Sequence, residues 1–314
     1  MVIKNEQYFV SADKVTNVHY VEYIPEGAPV ASLIVAHGIG EHAGRYEELA
    51  EMLTKKNIVM YAIDFIGHGY STSEKKAPMY FGVEGWDFLV RDLIRLNQVV
   101  NTNHPEIPCY MLGFSMGSFV VRSVMADYPN KVKVDGVILA GTGTIAAPVA
   151  GMVKMLVASE AKKCGGADKV SDKVNELAFG NYNKYFKPCR TEFDWLCKNE
   201  EGVQQYIEDP LASKFITPGM FSDLLGAMAH TGKKEAIKNS KKVPILFMSG
   251  KEDPVGSFAK SVLKLASEFE KAGFNVTVSI YDDTRHDVFH DNKKVAAMEN
   301  VCRWIERVME KVKK

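Results

Sequence analysis

The sequence predicts an α/β protein: a mostly parallel central sheet flanked by helices and interrupted once by a helical insertion. Three observations carry this. Short apolar runs alternate with segments of helical spacing, as in Ala31–Ala36, then Tyr46, Leu49, Ala50 and Leu53, then Ile58–Ile63. Strands buried on both faces and joined by helices are the signature of a parallel sheet. In residues 109–120 one such run enters Gly113 and passes through Ser115 and Gly117 into a helix-like segment, so two glycines relieve a sharp strand-to-helix turn with a serine at its tip. From Ile145 to about Asp209 the alternation stops and helix-like pieces replace buried strands.

Taken in order, residues 6–23 carry β-branched and aromatic side chains in rough alternation around Ala12-Asp13-Lys14, which predicts two antiparallel strands. The strand at 31–36 ends in His37-Gly38-Ile39-Gly40. A helix over 44–56 and a strand over 58–63 follow, the latter ending at Asp64. A glycine-punctuated loop to Ser71 leads to a helix over 86–101, then to the serine-bearing strand and helix, then to a strand over 134–139. In the insertion, Val149, Met152, Val153, Leu156 and Val157 form one apolar stripe, and Val170, Val174, Leu177 and Ala178 a second. Phe193, Leu196 and Cys197, with Val203, Tyr206 and Ile207, predict two more helices. Helices over 221–231 and 258–272, strands over 243–248 and 275–281, and a final helix over 293–311 complete the sheet and its cover. The expected division is a core of residues 1–144 and 210–314 with a helical cap, 145–209, over the C-terminal edge of the strands, where such folds place their sites.

Composition narrows the classes. The chain has 314 residues, 46% hydrophobic and 25% charged, which suits one or two globular domains. Its 39 basic and 39 acidic residues create no net field, so nucleic acid is not an expected partner. Five cysteines, spread out and without a C-x-x-C pair, argue against a disulfide framework and a zinc site and favour a reduced, cytoplasmic setting. Residues 1–10 lack a signal-peptide pattern, and no apolar run reaches the roughly 18 residues of a membrane span. Without G-x-G-x-x-G or a cluster of metal-ligand spacing, no cofactor or metal is expected.

Three residues fall just past strands in the order Ser115, Asp253, His286. That order, at one edge of a parallel sheet, is what the α/β-hydrolase arrangement of acyl-transfer chemistry requires. His286 would take the Ser115 proton on one ring nitrogen and donate from the other to Asp253. Glu252, Asp282, Asp283 and Asp287 are competing acids, but Asp253 alone lies in a turn directly after a strand. His68, between two glycines, and His37 read as loop-stabilising residues; His42 and His104 read as exposed, and His290 sits near the last helix. Oxyanion donors are expected from the backbone N–H of Ile39 and of Met116, each donor worth about 3 to 4 kcal/mol in the barrier.

H-G-I-G-E-H-A-G-R-Y at residues 37–46, D-F-I-G-H-G-Y-S at 64–71, G-F-S-M-G-S at 113–118, S-G-K-E-D-P-V at 249–255 and R-H-D at 285–287 resemble the monoacylglycerol lipase and lysophospholipase branch of the α/β-hydrolases. The resemblance covers nearly the whole chain and is strongest in the core. It implies hydrolysis of carboxylic esters, with Ser115, Asp253 and His286 as triad and Ile39 and Met116 as oxyanion donors. Phe114 and Ser118 depart from the H-S-M-G-G that the branch usually shows, which bears on the acyl pocket.

The expected partner is a small-molecule acyl ester. The stripe at 149–157 and Tyr182, Tyr185, Phe186, Phe193 and Trp195 are expected to line an acyl channel, since each buried CH₂ contributes about 0.8 kcal/mol. Lipid contact through the cap, near Lys154, Lys162 and Lys163, would be transient at most. Two rival readings stand beside ester hydrolysis. One is an aminopeptidase or acyltransferase on the same fold, with Glu192, Asp194, Glu200 and Glu201 available to hold an amine. The other is a silent binding protein. An Asp-nucleophile dehalogenase is ruled against by Ser115.

Overall fold

The computed structural model describes residues 3–72 and 79–312. The chain opens with an antiparallel pair, β1 (Ile3–Val10) and β2 (Asn17–Ile24), followed by β3 (Ala31–Ala36), α1 (Glu47–Thr54), β4 (Ile58–Ile63), α2 (Gly85–Asn103), β5 (Cys109–Phe114), α3 (Met116–Asp127) and β6 (Gly136–Ala140). Between β6 and the next strand come α4 (Ala147–Lys163), α5 (Asp172–Phe179), α6 (Glu200–Glu208), α7 (Pro218–Thr231) and α8 (Lys234–Asn239). Then β7 (Ile245–Gly250), α9 (Lys260–Lys271), β8 (Val276–Tyr281) and α10 (Lys294–Val312) close the fold.

The eight strands form one sheet in the order β1-β2-β4-β3-β5-β6-β7-β8. β2 pairs antiparallel with β4, and every pair from β4 to β8 is parallel. All residues of β3, β4, β5, β6 and β7 are buried, the physical reason their sequences are uninterrupted apolar runs. One face packs on α2, α3 and α9, with Leu89, Leu93, Val120, Val124 and Phe269 in its core. The other packs on α1 and α10, with Leu49, Leu53, Val301 and Trp304. Parallel strands bring their C-terminal ends, Ala36, Phe114, Ala140, Gly250 and Tyr281, to one rim.

Two expectations in the insertion fail. In α4 only Ala150 and Val157 are buried and Val153 is half-buried, while Val149, Met152, Met155 and Leu156 are between 43% and 68% exposed. α4 packs on α7, and of the expected stripe only Val153 and Val157 turn inward, beside Ala150. No helix forms at Phe193-Leu196-Cys197. The Asp194 carboxylate accepts hydrogen bonds from Arg190 N, Thr191 N and Thr191 Oγ1, and holds the segment as turns. Among the described residues no helix is long and apolar enough to cross a membrane.

Candidate active site

β5 ends at Phe114 and α3 begins at Met116, so one residue, Ser115, reverses the chain. Its backbone lies at φ 48°, ψ −116°, which side-chain-bearing residues rarely adopt. Glycine on either side is a steric requirement. A Cβ on Gly113 would lie 2.5 Å from the Gly117 carbonyl oxygen, and one on Gly117 would run into the Ala36 carbonyl. Ser115 N donates to Ala140 O at 2.9 Å, which ties the turn to β6. The Ser118 hydroxyl folds back on the Ser115 carbonyl at 2.6 Å, so this departure from glycine stays within the helix's first turn.

The loops after β7 and β8 carry the other two groups to the same rim. His286 Nε2 is 2.9 Å from Ser115 Oγ, and His286 Nδ1 is 3.0 Å from Asp253 Oδ1. Because a carboxylate only accepts, Nδ1 carries the proton and Nε2 is left as acceptor for the hydroxyl. Val255 N also donates to Asp253 Oδ1, at 2.8 Å, while Oδ2 has no partner among the described residues. His286 and Asp253 are buried. Burial alone would lower the imidazole's pKa; the Asp253 carboxylate, by charge and hydrogen bond, outweighs it and leaves the pKa raised.

Ile39 and Ser115 line one cavity of about 210 Å³ with His286. Met116 is the first residue of α3, where an N–H has no intrahelical acceptor. The cavity is otherwise walled by apolar side chains of α3, α4, α5 and α7, among them Phe119, Val153, Leu177, Phe221 and Leu225. Of the aromatics expected to line it, Tyr182 and Trp195 do. The other three are placed elsewhere: Tyr185 lies edge-on to Phe258, Phe186 under the Arg285 guanidinium, and Phe193 against Tyr206. Val153 is the one member of the expected stripe among the lining residues; Met152 and Leu156 point to solvent.

Residues 27–293 match the protein family described as serine aminopeptidase, S33. The chain belongs to this S33 hydrolase family. It is 26% identical over 284 residues to the monoglyceride lipase of Rattus norvegicus, covering 90% of this chain and 84% of that one. It is also 26% identical over 306 residues to the monoacylglycerol lipase of Mycolicibacterium smegmatis, covering 96% and 97%. A thermostable carboxyl esterase from Bacillus coagulans superposes with a TM-score of 0.86 at 22% identity, covering 98% of this chain and 99% of that chain, and shares the α/β-hydrolase fold.

In this S33 hydrolase the competing carboxylates are engaged elsewhere. Glu252 and Asp283 pair with Lys198, Asp282 with Lys251, and Asp287 with Arg45 and His290. His68 sits between His37 and Phe81, its pKa lowered to about 3 by burial, and its Nδ1 donates to Ile66 O. His37 Nδ1 donates to Gly38 O at 2.6 Å, and Nε2 accepts from Phe65 N, which fastens the loop after β3. The expectation that His42 and His104 are exposed is corrected. His42 is buried against Asp209 at 2.7 Å, and His104 is half-buried with Nε2 3.0 Å from the Tyr61 hydroxyl.

Glu41 escaped the sequence reading. Its Oε1 accepts from Gly38 N at 2.6 Å and from the Tyr46 hydroxyl at 2.8 Å, and its Oε2 from Arg45 Nε at 3.0 Å. The buried carboxylate therefore sets the backbone just before Ile39. The signal was a glutamate directly after a glycine-rich loop and four residues before an arginine.

Proposed function

We propose that this chain is a serine carboxylic-ester hydrolase that works through an acyl-enzyme, with Ser115 as nucleophile, His286 as general base and acid, and Asp253 as the group that orients the imidazole. The observation that carries this is the pair of contacts on His286, 2.9 Å to Ser115 Oγ and 3.0 Å to Asp253 Oδ1, at the end of an apolar cavity. As Ser115 Oγ bonds to the ester carbon, its proton passes to Nε2, and the carbonyl electron pair collects on an oxygen facing the Ile39 and Met116 amides. The imidazolium then returns the proton to the departing alcohol, and water repeats the sequence to free the acid.

The cavity favours an ester of a fatty acid over a peptide amine. A free N-terminus would want a carboxylate nearby, yet among the described residues none that lines the cavity is acidic. Asp194 is committed to its own turn, and Glu200 pairs with Arg190. The similarity to monoglyceride lipases supports a monoacylglycerol-like substrate. Residues 145–209 act as a cap over the site, and the exposed Met152, Met155 and Leu156 support brief contact of that cap with a lipid surface. Five free thiols fit a reducing, cytoplasmic compartment.

A fluorophosphonate probe tests the core of this reading. It should label the wild type and spare Ser115→Ala, and S115A should lose ester hydrolysis. Labelling of neither protein would favour a silent binding protein, and retained turnover in S115A would overturn the triad.

A further inference from the structure

The imidazole of His286 is held on its edges by Ser115 and Asp253, and two aromatic rings lie against it. Phe114 approaches with ring centroids 5.1 Å apart and planes at 40°, Trp195 with centroids 5.4 Å apart and planes at 34°. Both rings are buried. Phe114 belongs to β5, but Trp195 belongs to the insertion, where Phe179 stacks on it at 5.7 Å and 14° and Tyr182 packs at 5.1 Å. Its indole N–H has no acceptor among the described residues, so no side-chain hydrogen bond fixes the ring.

The backbone fixes it instead. Arg285 Nη1 donates to Asp194 O at 2.5 Å and to Cys197 O at 3.2 Å, and Asp287 N donates to Leu196 O at 2.8 Å. The residues on either side of His286 are thus fastened to the residues on either side of Trp195. Gly141 completes the fit: at φ 56° it sits where any Cβ would come within 2.9 Å of both His286 Cε1 and Phe114 Cε2.

We propose that Trp195 is a positioning residue for the catalytic base, covering His286 so that its indole stabilises the imidazolium formed in each half-reaction and makes base strength depend on a seated cap. This rests on His286 being the base. In acylation the Ser115 Oγ–H bond breaks as Oγ bonds to carbon, the carbonyl π pair moves to oxygen, and His286 goes from neutral to cationic. When the alcohol leaves with the proton, the ring is neutral again. An aromatic ring within about 6 Å attracts the cation more than the neutral ring, so the contact acts on the barrier more than on substrate binding. Sheltered from water, such a contact corresponds to a rate effect of roughly five- to thirtyfold.

The charged groups that share this field are Asp253 at Nδ1, Asp287 beside His286, and Glu41 from the loop after β3, with Arg45 and His290 paired to Asp287. None is removed by changing Trp195.

The test uses p-nitrophenyl acetate, whose acyl group is too short to rely on the cavity wall. Trp195→Leu should lower kcat roughly five- to thirtyfold with KM nearly unchanged. The acid limb of kcat/KM should move to lower pH by about one pH unit, and Trp195→Phe should restore most of both. Because W195L could fail to fold, a second measurement uses the wild-type sequence grown with mono-, di- and trifluorinated tryptophan. The other two tryptophans, Trp86 and Trp304, lie against Phe81 and Tyr110, away from His286. A stepwise fall of log kcat with fluorine count supports the clamp; a flat series overturns it. It is also overturned if W195L keeps wild-type kcat and pH profile on acetate and only raises KM for longer esters. A full-activity S115A would instead sink the triad reading, which keeps the two failures apart.

Discussion

Replacing Glu41 by glutamine tests how the loop after β3, proposed to supply the Ile39 oxyanion donor, is held. The wild-type carboxylate receives three hydrogen bonds, from Gly38 N, the Tyr46 hydroxyl and Arg45 Nε, in a site where Glu41 is 3% exposed. Glutamine keeps one carbonyl oxygen for Gly38 and Tyr46 but turns an amide N–H toward the Arg45 guanidinium, which is left with Asp287 alone at 3.1 Å. Breaking one side of a buried pair costs about 3 to 5 kcal/mol; since Asp287 still balances Arg45, we expect the lower figure, about 3 kcal/mol, read as a shift in the urea midpoint. The second consequence is local. Gly38 and Ile39 are neighbours, so weakening the 2.6 Å contact loosens the Ile39 amide. Complete loss of an oxyanion donor costs about a hundred- to thousandfold in kcat, and partial misalignment should cost roughly ten- to a hundredfold, with KM little changed. Steady-state kinetics on p-nitrophenyl butyrate measures this. An E41Q protein that is destabilised but turns over at the wild-type kcat would refute the argument that this carboxylate sets the loop.

With His286 as the proposed base, its raised pKa should place the acid limb of kcat/KM above the ordinary histidine value, because a base must be neutral to accept a proton. Asp253→Asn should move that limb to lower pH and cut kcat by about 10³- to 10⁴-fold in a pH–rate series. The same raised pKa means that protonated His286 favours the folded state. This stabilisation is fully present below the unfolded value and is lost as pH rises through the folded one, so His286→Gln should flatten that part of the stability curve. A cavity of 150 Å³ holds a benzene ring, so about 210 Å³ holds roughly eight heavy atoms. Rates on p-nitrophenyl esters should climb to acyl chains of about eight carbons and fall beyond. The double variant Met155→Lys, Leu156→Lys should keep wild-type rates on soluble acetate and lose activity on ester presented in vesicles, with vesicle co-sedimentation as a second readout.

The core was legible because burial on both faces leaves its mark on every position of a strand. Ile58–Ile63 and Cys109–Phe114 have no polar face to mislead. The positions of Ser115, Asp253 and His286 followed from the rule that ends of parallel strands share a rim, and that rule needs no knowledge of side-chain contacts. The insertion was harder for a physical reason. In α4, Val149, Met152 and Leu156 lie beside Ala150, Val153 and Val157 at the same spacing, so apolar periodicity alone does not choose the buried row. At residues 190–197 a single aspartate captures three donors and outcompetes helical hydrogen bonding that the apolar spacing would otherwise support. Glu41 and His42 were hidden because their partners, Gly38 N and Asp209, are defined only once the loop has folded.

The polypeptide departs from the sheet after Ala140 and rejoins it at Ile245, and those two strands are immediate neighbours, with Ala140 facing Met248. Because the two strands are parallel, the chain leaves at one edge of the sheet and must return to the opposite edge, where Ile245 lies beside Val137. An excursion of different sequence grafted at this junction must therefore be long enough to recross the sheet if the strand order is to be kept, and under the proposal for Trp195 one lacking an aromatic beside His286 would hydrolyse esters more slowly.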